Sequence, residues 1–200
     1  MLYVSRMART KEFDPDVALD AAMELFWSRG YEATSTADLV EHLGIARASL
    51  YGTFGSKHEL YLAAFDRYLR DRDPGLLDVL SQPGPALPGV RAVVETYVRE
   101  TVDDQRLRGC FVVNAAVELM AADALVASRV RSSWDTIEVG LTSALLRARA
   151  QGELPRTADP RALARFLLVF LQGVRVMGHD GTADPDRLRD AAEQALSILG

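Results

Sequence analysis

A short stretch of the chain, residues 44–57, combines side chains that could contact nucleic acid. It reads GIARASLYGTFGSK. At helical spacing Leu50 and Phe54 share one face and point inward. The outer face then carries a guanidinium, a phenol and two small hydroxyls: Arg47, Tyr51, Ser49 and Thr53. A guanidinium can pair with the edge of guanine, and Lys57 at the start of the next helix could bind a phosphate.

Three short helices are predicted to position this stretch. The first begins with Asp14 as N-cap and Pro15 in the first turn, and it ends at Gly30. The second begins after the Ser35–Thr36 pair, whose hydroxyls can cap it, and ends at Gly44, and the third covers about residues 46–54. A short turn with glycine sets two helices at a steep angle, which is the arrangement of a helix-turn-helix.

The remainder of the chain is also predicted to be helical. Isoleucine occurs three times, alanine and leucine dominate, and no period-2 alternation typical of strands is present. Ser56 and Glu59 fit a capping box that starts a fourth helix. Further helices are expected at about 89–105, 110–122, 124–151, 160–178 and 185–199, which predicts an all-α fold of about nine helices. The proline- and glycine-rich residues 71–89 are expected to form an irregular connection.

Composition excludes several classes of protein. The chain has 200 residues, 48% of them hydrophobic and 26% charged, with one cysteine and a net charge of −5. It is therefore neither disordered nor built on disulfides or a multi-thiolate zinc site. The first ten residues lack the apolar core typical of a signal peptide, and no run of apolar residues reaches the length of a membrane span, so the cytoplasm is expected. Metal-binding spacing, phosphate loops and nucleophile elbows are missing as well, so neither a cofactor nor an enzyme activity is expected.

The N-terminal third resembles the TetR/AcrR family of bacterial transcriptional regulators. Residues 12–70 contain A-A-x-x-L-F-x-x-x-G-Y-x-x-T-S, then L-G-I, then L-Y-x-x-F-x-S-K-x-x-L. The resemblance implies a homodimer with a C-terminal domain that binds a small-molecule effector and controls binding to double-stranded operator DNA. It also implies DNA contacts from Thr36 on the second helix, from Arg47, Ala48, Ser49, Tyr51, Gly52 and Thr53 on the third, and from Lys57.

The predicted organisation is an N-terminal arm, residues 1–11, a DNA-binding domain, residues 12–58, and a ligand-binding and dimerisation domain, residues 59–200. The arm could reach a groove or phosphates of DNA through Arg6, Arg9 and Lys11.

Two features weaken the interpretation as a DNA-binding protein. Gly52 has no side chain to contact a base, and residues 1–60 contain six basic and nine acidic side chains. A small-molecule binding protein with a vestigial helix-turn-helix is therefore the alternative.

Large apolar and polar side chains in the C-terminal part suggest a ligand cavity. The candidates to line it are Phe65, Tyr68, Tyr97, Phe111, Asn114, Glu118, Trp134, Phe170 and Met177. Asn114 and Glu118 lie four apart on an otherwise apolar face, where each needs a partner that is either another protein group or a ligand.

The helix at 160–178 is apolar over more than one face, so one face can close the monomer and the other remains to be covered. This predicts a homodimer with that helix and the last helix of each subunit at the interface. The candidate interface residues are Leu163, Phe166, Leu167, Leu171, Val174, Leu188, Ala192, Ala195 and Leu199. Arg165 and Arg175 are expected to pair with Asp190 or Glu193 at the rim of this interface. Together these features predict a repressor that a small, largely apolar effector releases from its operator.

Overall fold

The computed structural model describes residues 13–104, 108–178 and 184–199, and the side chains of residues 72–74 are excluded from the description. Within these ranges the chain forms nine α-helices and no β-strand, as the sequence predicts. The helices are α1 (Pro15–Arg29), α2 (Thr36–Leu43), α3 (Arg47–Phe54), α4 (Lys57–Ser81), α5 (Leu87–Val102), α6 (Phe111–Leu119), α7 (Ala124–Gln151), α8 (Pro160–Met177) and α9 (Pro185–Ser197).

Local capping explains where most helices begin. The Asp14 carboxylate accepts from the backbone N–H groups of Asp16 and Val17 at the start of α1. At α2 the Ser35 hydroxyl accepts from the Asp38 N–H while the Asp38 carboxylate accepts from the Ser35 N–H, a complete capping box. Helices α4, α7, α8 and α9 are N-capped in the same way, by the side chains of Ser56, Asp123, Asp159 and Asp184.

The predicted irregular connection at residues 71–89 is wrong over most of its length. Helix α4 continues to Ser81, and α5 begins at Leu87 with proline in its first turn. The connection between them is therefore confined to residues 82–86. The buried side chain of Leu80 belongs to the same hydrophobic core as α5, which gives the end of α4 a packing partner beyond the position where proline was expected to stop it.

Two hydrophobic cores hold the nine helices together. One contains buried residues of α1, α2 and α3 together with Leu60, Tyr61 and Phe65 of α4, Phe111 of α6 and Val126 of α7. The other joins the end of α4 to α5, the second half of α7, α8 and α9. The predicted boundary at residue 58 falls at the start of α4, a helix that takes part in both cores.

Most of the predicted dimer-interface residues lie inside the subunit, so that prediction is wrong for them. The residues buried within the subunit are Leu167, Leu171, Val174, Leu188, Ala192, Ala195 and Leu199. Leu163 is half-buried against the same core, and Phe166 is 46% exposed. The sequence identified two apolar helices correctly, but it assigned to the outer face the side that closes the monomer.

A different stripe of α8 faces outward. Phe166, Val169 and Val176 are exposed, and Gly173 lies between the last two with open space where a Cβ would stand. These positions are three or four residues apart and so share one helix face. Within the described residues, the helices are too short or too polar for any of them to cross a bilayer.

Candidate DNA-binding surface and ligand cavity

Helices α2 and α3 are joined by a tight turn that places α3 on the outside of the subunit. Gly44 adopts φ +63°, in the left-handed region that favours glycine, and its N–H bonds to the Glu41 carbonyl at 3.3 Å. Leu39 and Leu50 anchor the two helices in the core, since both side chains are fully buried. The outer face of α3 is thereby fixed relative to the N-terminus of α2.

Three of the predicted DNA-contacting side chains form one polar cluster. The hydroxyl of Thr36 and the phenol of Tyr51 are 3.3 Å apart, and the Arg47 guanidinium donates to the same phenol at 3.4 Å. The hydrogen bond with Thr36, followed by the one from Arg47, lowers the pKa of Tyr51 from its ordinary value. The cluster therefore links α2 to α3 and presents a cation and two hydroxyls on an exposed surface.

The other predicted contacts on α3 surround this cluster. Arg47, Ala48 and Gly52 are exposed, while Ser49 and Thr53 are half-buried. A Cβ at Gly52 would meet no atom within 4 Å. The glycine is therefore not required by packing inside the subunit, and it leaves the backbone of α3 uncovered at this position.

Lys57 stands at the first position of α4, beside α3. Its ammonium lies 4.1 Å from the centre of the Tyr31 ring, which is a cation–π contact. This contact holds the lysine side chain in place but does not provide a hydrogen-bond acceptor, so the ammonium N–H groups can donate to another group. The predicted arm contacts Arg6, Arg9 and Lys11 lie outside the described residues.

Several acidic residues of the N-terminal region are neutralised within the protein. Arg67 of α4 binds Asp16 and Asp20, at 3.4 Å and 3.1 Å. Glu24 pairs with Arg108, and Arg29 lies 3.6 Å from Asp38. Arg67 and Arg108 lie outside residues 1–60 and therefore offset part of the acidic excess that weakened the DNA-binding interpretation, whereas Arg29 is already counted among the six basic residues of that range.

Glu118, predicted as a cavity residue, instead holds the DNA-binding helices. Its carboxylate accepts from the backbone N–H groups of Tyr31 and Glu32, at 2.9 Å and 2.8 Å. These groups belong to the turn between α1 and α2, so the last turn of α6 is bonded directly to the helix-turn-helix. Sequence reasoning missed this partner because 86 residues separate Glu32 from Glu118.

A cavity of about 410 Å³ lies between α4, α5, α7 and α8, beside the start of α6. Of the predicted lining residues, Tyr68, Tyr97 and Trp134 form part of its wall. Polar and charged groups contribute more of the wall than the sequence suggested, namely Asp71, Thr96, Glu100, Ser133, Gln172 and Arg175. Cys110 also lies on the wall, where its thiol accepts a hydrogen bond from the Tyr68 hydroxyl at 3.6 Å.

The remaining cavity predictions are wrong. Phe65 and Phe111 pack in a buried aromatic cluster around Tyr61, and Phe170 packs against the second core. Met177 is exposed and is not part of the wall. The Asn114 amide donates to the Arg108 carbonyl at 2.9 Å, so its partner is the backbone.

Arg165 and Arg175 were expected to pair with Asp190 or Glu193 at a dimer rim. Arg165 instead binds Glu138 at 3.0 Å, and Arg175 lies in the cavity wall. Arg175 donates to Glu100 at 2.5 Å and to Thr101 at 3.3 Å, and its guanidinium stacks 4.3 Å from the centre of the Tyr97 ring. Arg175 follows the buried Leu171 by four residues and the buried Leu167 by eight, so it lies on the same inner face of α8. Among the described residues, no group of three or more metal-binding side chains comes together.

The comparisons with known proteins agree with this arrangement. The family model of the bacterial regulatory proteins, tetR family, matches residues 18–64, and the model of the tetracyclin repressor-like C-terminal domain matches residues 86–195. The chain belongs to the TetR family of transcriptional regulators. It is a DNA-binding regulator and not an enzyme, as the sequence predicts.

Relatives match the TetR-family chain over almost its entire length. A transcriptional regulator from Bacillus subtilis, YezE, is 38% identical over 96% of this chain and all of its own length. The transcriptional repressor ComR of Escherichia coli is 33% identical over 95% of this chain and 90% of its own. A solved structure of a cysteine mutant of the TetR-family regulator CifR, complexed with a 26-base-pair operator DNA, superimposes with a TM-score of 0.84 at 32% identity, covering 96% of this chain and all of that one.

Proposed function

We propose that this TetR-family protein is a repressor that a small molecule releases from its operator. The observation that carries the proposal is the cluster of Thr36, Arg47 and Tyr51 on an exposed face of the helix-turn-helix. The turn before α2 is bonded to Glu118 of α6, the helix that starts at the cavity. CifR, a similar protein, is solved on operator DNA, and ComR is a repressor. Such a regulator works where the chromosome is, so the cytoplasm is the proposed compartment.

In the proposed DNA complex, α3 enters the major groove. Arg47 pairs with a base edge, Tyr51 and Thr36 contact the backbone or a base, and Lys57 binds a phosphate. The uncovered backbone at Gly52 lets α3 approach the DNA closely, so Gly52 is compatible with binding and does not favour a vestigial helix-turn-helix. Base preference then rests mainly on Arg47.

The proposed active species is a homodimer formed through the exposed stripe of Phe166, Val169 and Val176 on α8. Burying these side chains removes apolar surface from water, and Gly173 between them allows a partner helix to come close. The two copies of α3 would then occupy successive major grooves of a near-palindromic operator, roughly 34 Å apart.

Helix α6 is the proposed route from the cavity to the DNA-binding surface. Cys110 at its N-cap and Val112 in its first turn line the cavity, and Glu118 in its last turn caps the turn before α2. A ligand that displaces the start of α6 therefore acts on the same rigid helix that holds α2. The ligand shifts the population toward a conformer whose two α3 helices no longer match the operator.

The test is to select bound fragments from random double-stranded DNA and to measure the affinity of the enriched sequence by fluorescence anisotropy. We expect a near-palindromic sequence and a dissociation constant in the nanomolar range at physiological salt. Screening of small molecules for release of the fragment then identifies the effector. Failure to enrich any sequence would contradict the DNA-binding proposal, and a fragment that no ligand releases would contradict effector control.

A further inference from the structure

We propose that the α6–α7 corner, residues 118–123, positions Lys57 for a DNA phosphate through Asp123 and His58, an inference that rests on the proposed DNA binding by Lys57. The corner is a compact unit. The N–H groups of Ala122 and Asp123 both donate to the carbonyl of Leu119, at 3.0 Å and 2.8 Å. Groups at the two ends of the corner therefore keep a fixed relation to each other.

The first link joins the corner to the first turn of α4. Oδ2 of Asp123 lies 2.5 Å from Nε2 of His58, the residue that follows Lys57. The other oxygen, Oδ1, accepts from the N–H groups of Leu125 and Val126 and so caps α7. Burial alone would favour the neutral carboxyl, but hydrogen bonds from the backbone of α7 and from His58 lower the pKa of Asp123 below its ordinary value. An ionised carboxylate only accepts hydrogen bonds, so Nε2 of His58 is the donor.

The second link reaches Lys57 through the ring of Tyr31. Glu118 accepts from the Tyr31 N–H at 2.9 Å, and the fully buried ring of Tyr61 packs edge-on against the Tyr31 ring, with 5.0 Å between the centroids. The Lys57 ammonium lies on this ring, and the imidazole of His58 meets it edge-on at 6.2 Å. Tyr31 is therefore fixed by the corner and by the core, and its ring sets the position of the ammonium.

Both links act on the first turn of α4 and leave the ammonium N–H groups of Lys57 able to bind a phosphate. A lysine side chain that rotates freely loses conformational entropy when it is held in a contact. A side chain that is held in place before the DNA arrives avoids part of that loss. The corner therefore raises the affinity for DNA of any sequence, while base preference still rests on Arg47.

The test measures the affinity of the full-length protein for the selected DNA fragment at several salt concentrations. Asp123→Ser removes the oxygen that binds His58 but keeps a side chain that can cap α7. We expect binding to weaken several-fold, and the slope of log affinity against log salt concentration to fall by up to about 0.9, the value for one phosphate contact. Relative affinities for single-base variants of the fragment should not change. A slope equal to that of the unsubstituted protein would overturn the proposal.

The same substitution in a Lys57→Ala background decides whether Asp123 acts through the lysine. There Asp123→Ser should cause no further loss of affinity, because the side chain that it positions is absent. An equal loss in both backgrounds would mean that Asp123 only stabilises the fold, and the proposal would fail. Asp159→Ser is the matched control, since Asp159 caps α8, a helix of the other core, and it should leave the affinity and the slope unchanged.

His58 offers a second pair of variants. His58→Ala removes the donor to Asp123 and should reproduce the effect of Asp123→Ser. His58→Gln retains an N–H group that can donate to the carboxylate, and it should restore most of the affinity and of the salt dependence. If the glutamine and alanine variants bind DNA alike, the hydrogen bond to Asp123 does not position Lys57.

The position of Lys57 is also measured without DNA. The chain contains two lysines, Lys11 and Lys57, so protein labelled with 13C-lysine gives two sets of side-chain NMR signals, which Lys57→Ala assigns. The ring current of Tyr31 shifts the protons next to the Lys57 ammonium, and we expect a smaller shift in Asp123→Ser. An unchanged shift overturns the proposal even in a protein that binds no DNA. If the shift is reduced but no DNA sequence is selected, the positioning of Lys57 stands and the proposed function alone fails.

Discussion

The DNA-binding surface and the ligand cavity are built in opposite ways. The cluster of Thr36, Arg47 and Tyr51 is formed by residues within 15 positions of one another, and its phenol already has partners inside the protein. The cavity wall comes from five helices that are distant from one another in sequence. The comparison indicates that the first region is fixed by contacts local in sequence, whereas the second depends on how distant helices pack.

The largest effect is expected from disruption of the proposed homodimer, which DNA binding requires and ligand binding does not. Val169→Asp places an unpaired charge in the proposed interface. We expect a monomer and a loss of DNA affinity of at least about a hundredfold, since burial of an unpaired charge is strongly unfavourable. Light scattering and anisotropy measure both effects, while calorimetry should show that ligand binding is retained.

Val117→Asp is the matched control for this change. Val117 is even more exposed than Val169 but lies on α6, away from the proposed interface. It should remain dimeric. If Val169→Asp is also dimeric, the exposed stripe of α8 is not the interface.

The next effect distinguishes base contacts from phosphate contacts. Arg47→Ala should reduce affinity for the selected sequence by about tenfold to a hundredfold and relax its base preference. Lys57→Ala should weaken binding to all sequences alike and reduce the salt dependence, because it removes only a phosphate contact. Competition assays with single-base variants of the fragment measure both. An unaltered base preference in Arg47→Ala would refute the role assigned to this side chain.

The connection between the two regions is tested at Glu118. Glu118→Gln leaves one oxygen for two backbone N–H groups, so it removes one charge-assisted hydrogen bond and weakens the other. We expect DNA affinity to fall about tenfold, and the difference in DNA affinity between free and ligand-bound protein to shrink. Anisotropy with and without the effector measures this difference.

Glu153 provides a matched control in the other core. Its carboxylate accepts from the backbone N–H groups of Ala86 and Leu87, at 2.7 Å and 3.0 Å, far in sequence from the helix-turn-helix. Glu153→Gln should lower the melting temperature without changing the response of DNA binding to the effector. If the two variants behave alike, Glu118 has only a structural role.

The smallest effect concerns pH. Because the pKa of Tyr51 is lowered from its ordinary value of 10.0, the phenolate forms at a lower pH than in an unperturbed tyrosine. A negative charge beside DNA phosphates opposes binding, so affinity should decline as the pH rises through the pKa of Tyr51. Tyr51→Phe should remove this decline. Anisotropy titrations of the two proteins between neutral and alkaline pH compare them directly.

The same contrast explains what could be predicted from sequence. Helix ends and the outer face of α3 follow from local rules, since Asp14 and Ser35 cap their own helices and Leu50 fixes the orientation of Tyr51. Partners distant in sequence do not follow from such rules. The bond from Glu118 to Tyr31 and the assignment of the inner face of α8 both depend on how the helices pack, which periodicity alone leaves open.

The division of α4 between two cores has a practical consequence for making hybrid regulators. A graft that joined residues 13–56 to another sensor would separate Leu39 and Leu50 from the buried side chains of Tyr61, Phe111 and Val126 that complete their core. A DNA-binding unit that is transferred to another protein must therefore include α6 and the beginning of α7, although these helices are not contiguous in sequence with residues 13–56. Exchange of effectors between such proteins is more readily achieved by redesigning the cavity wall than by recombining fragments.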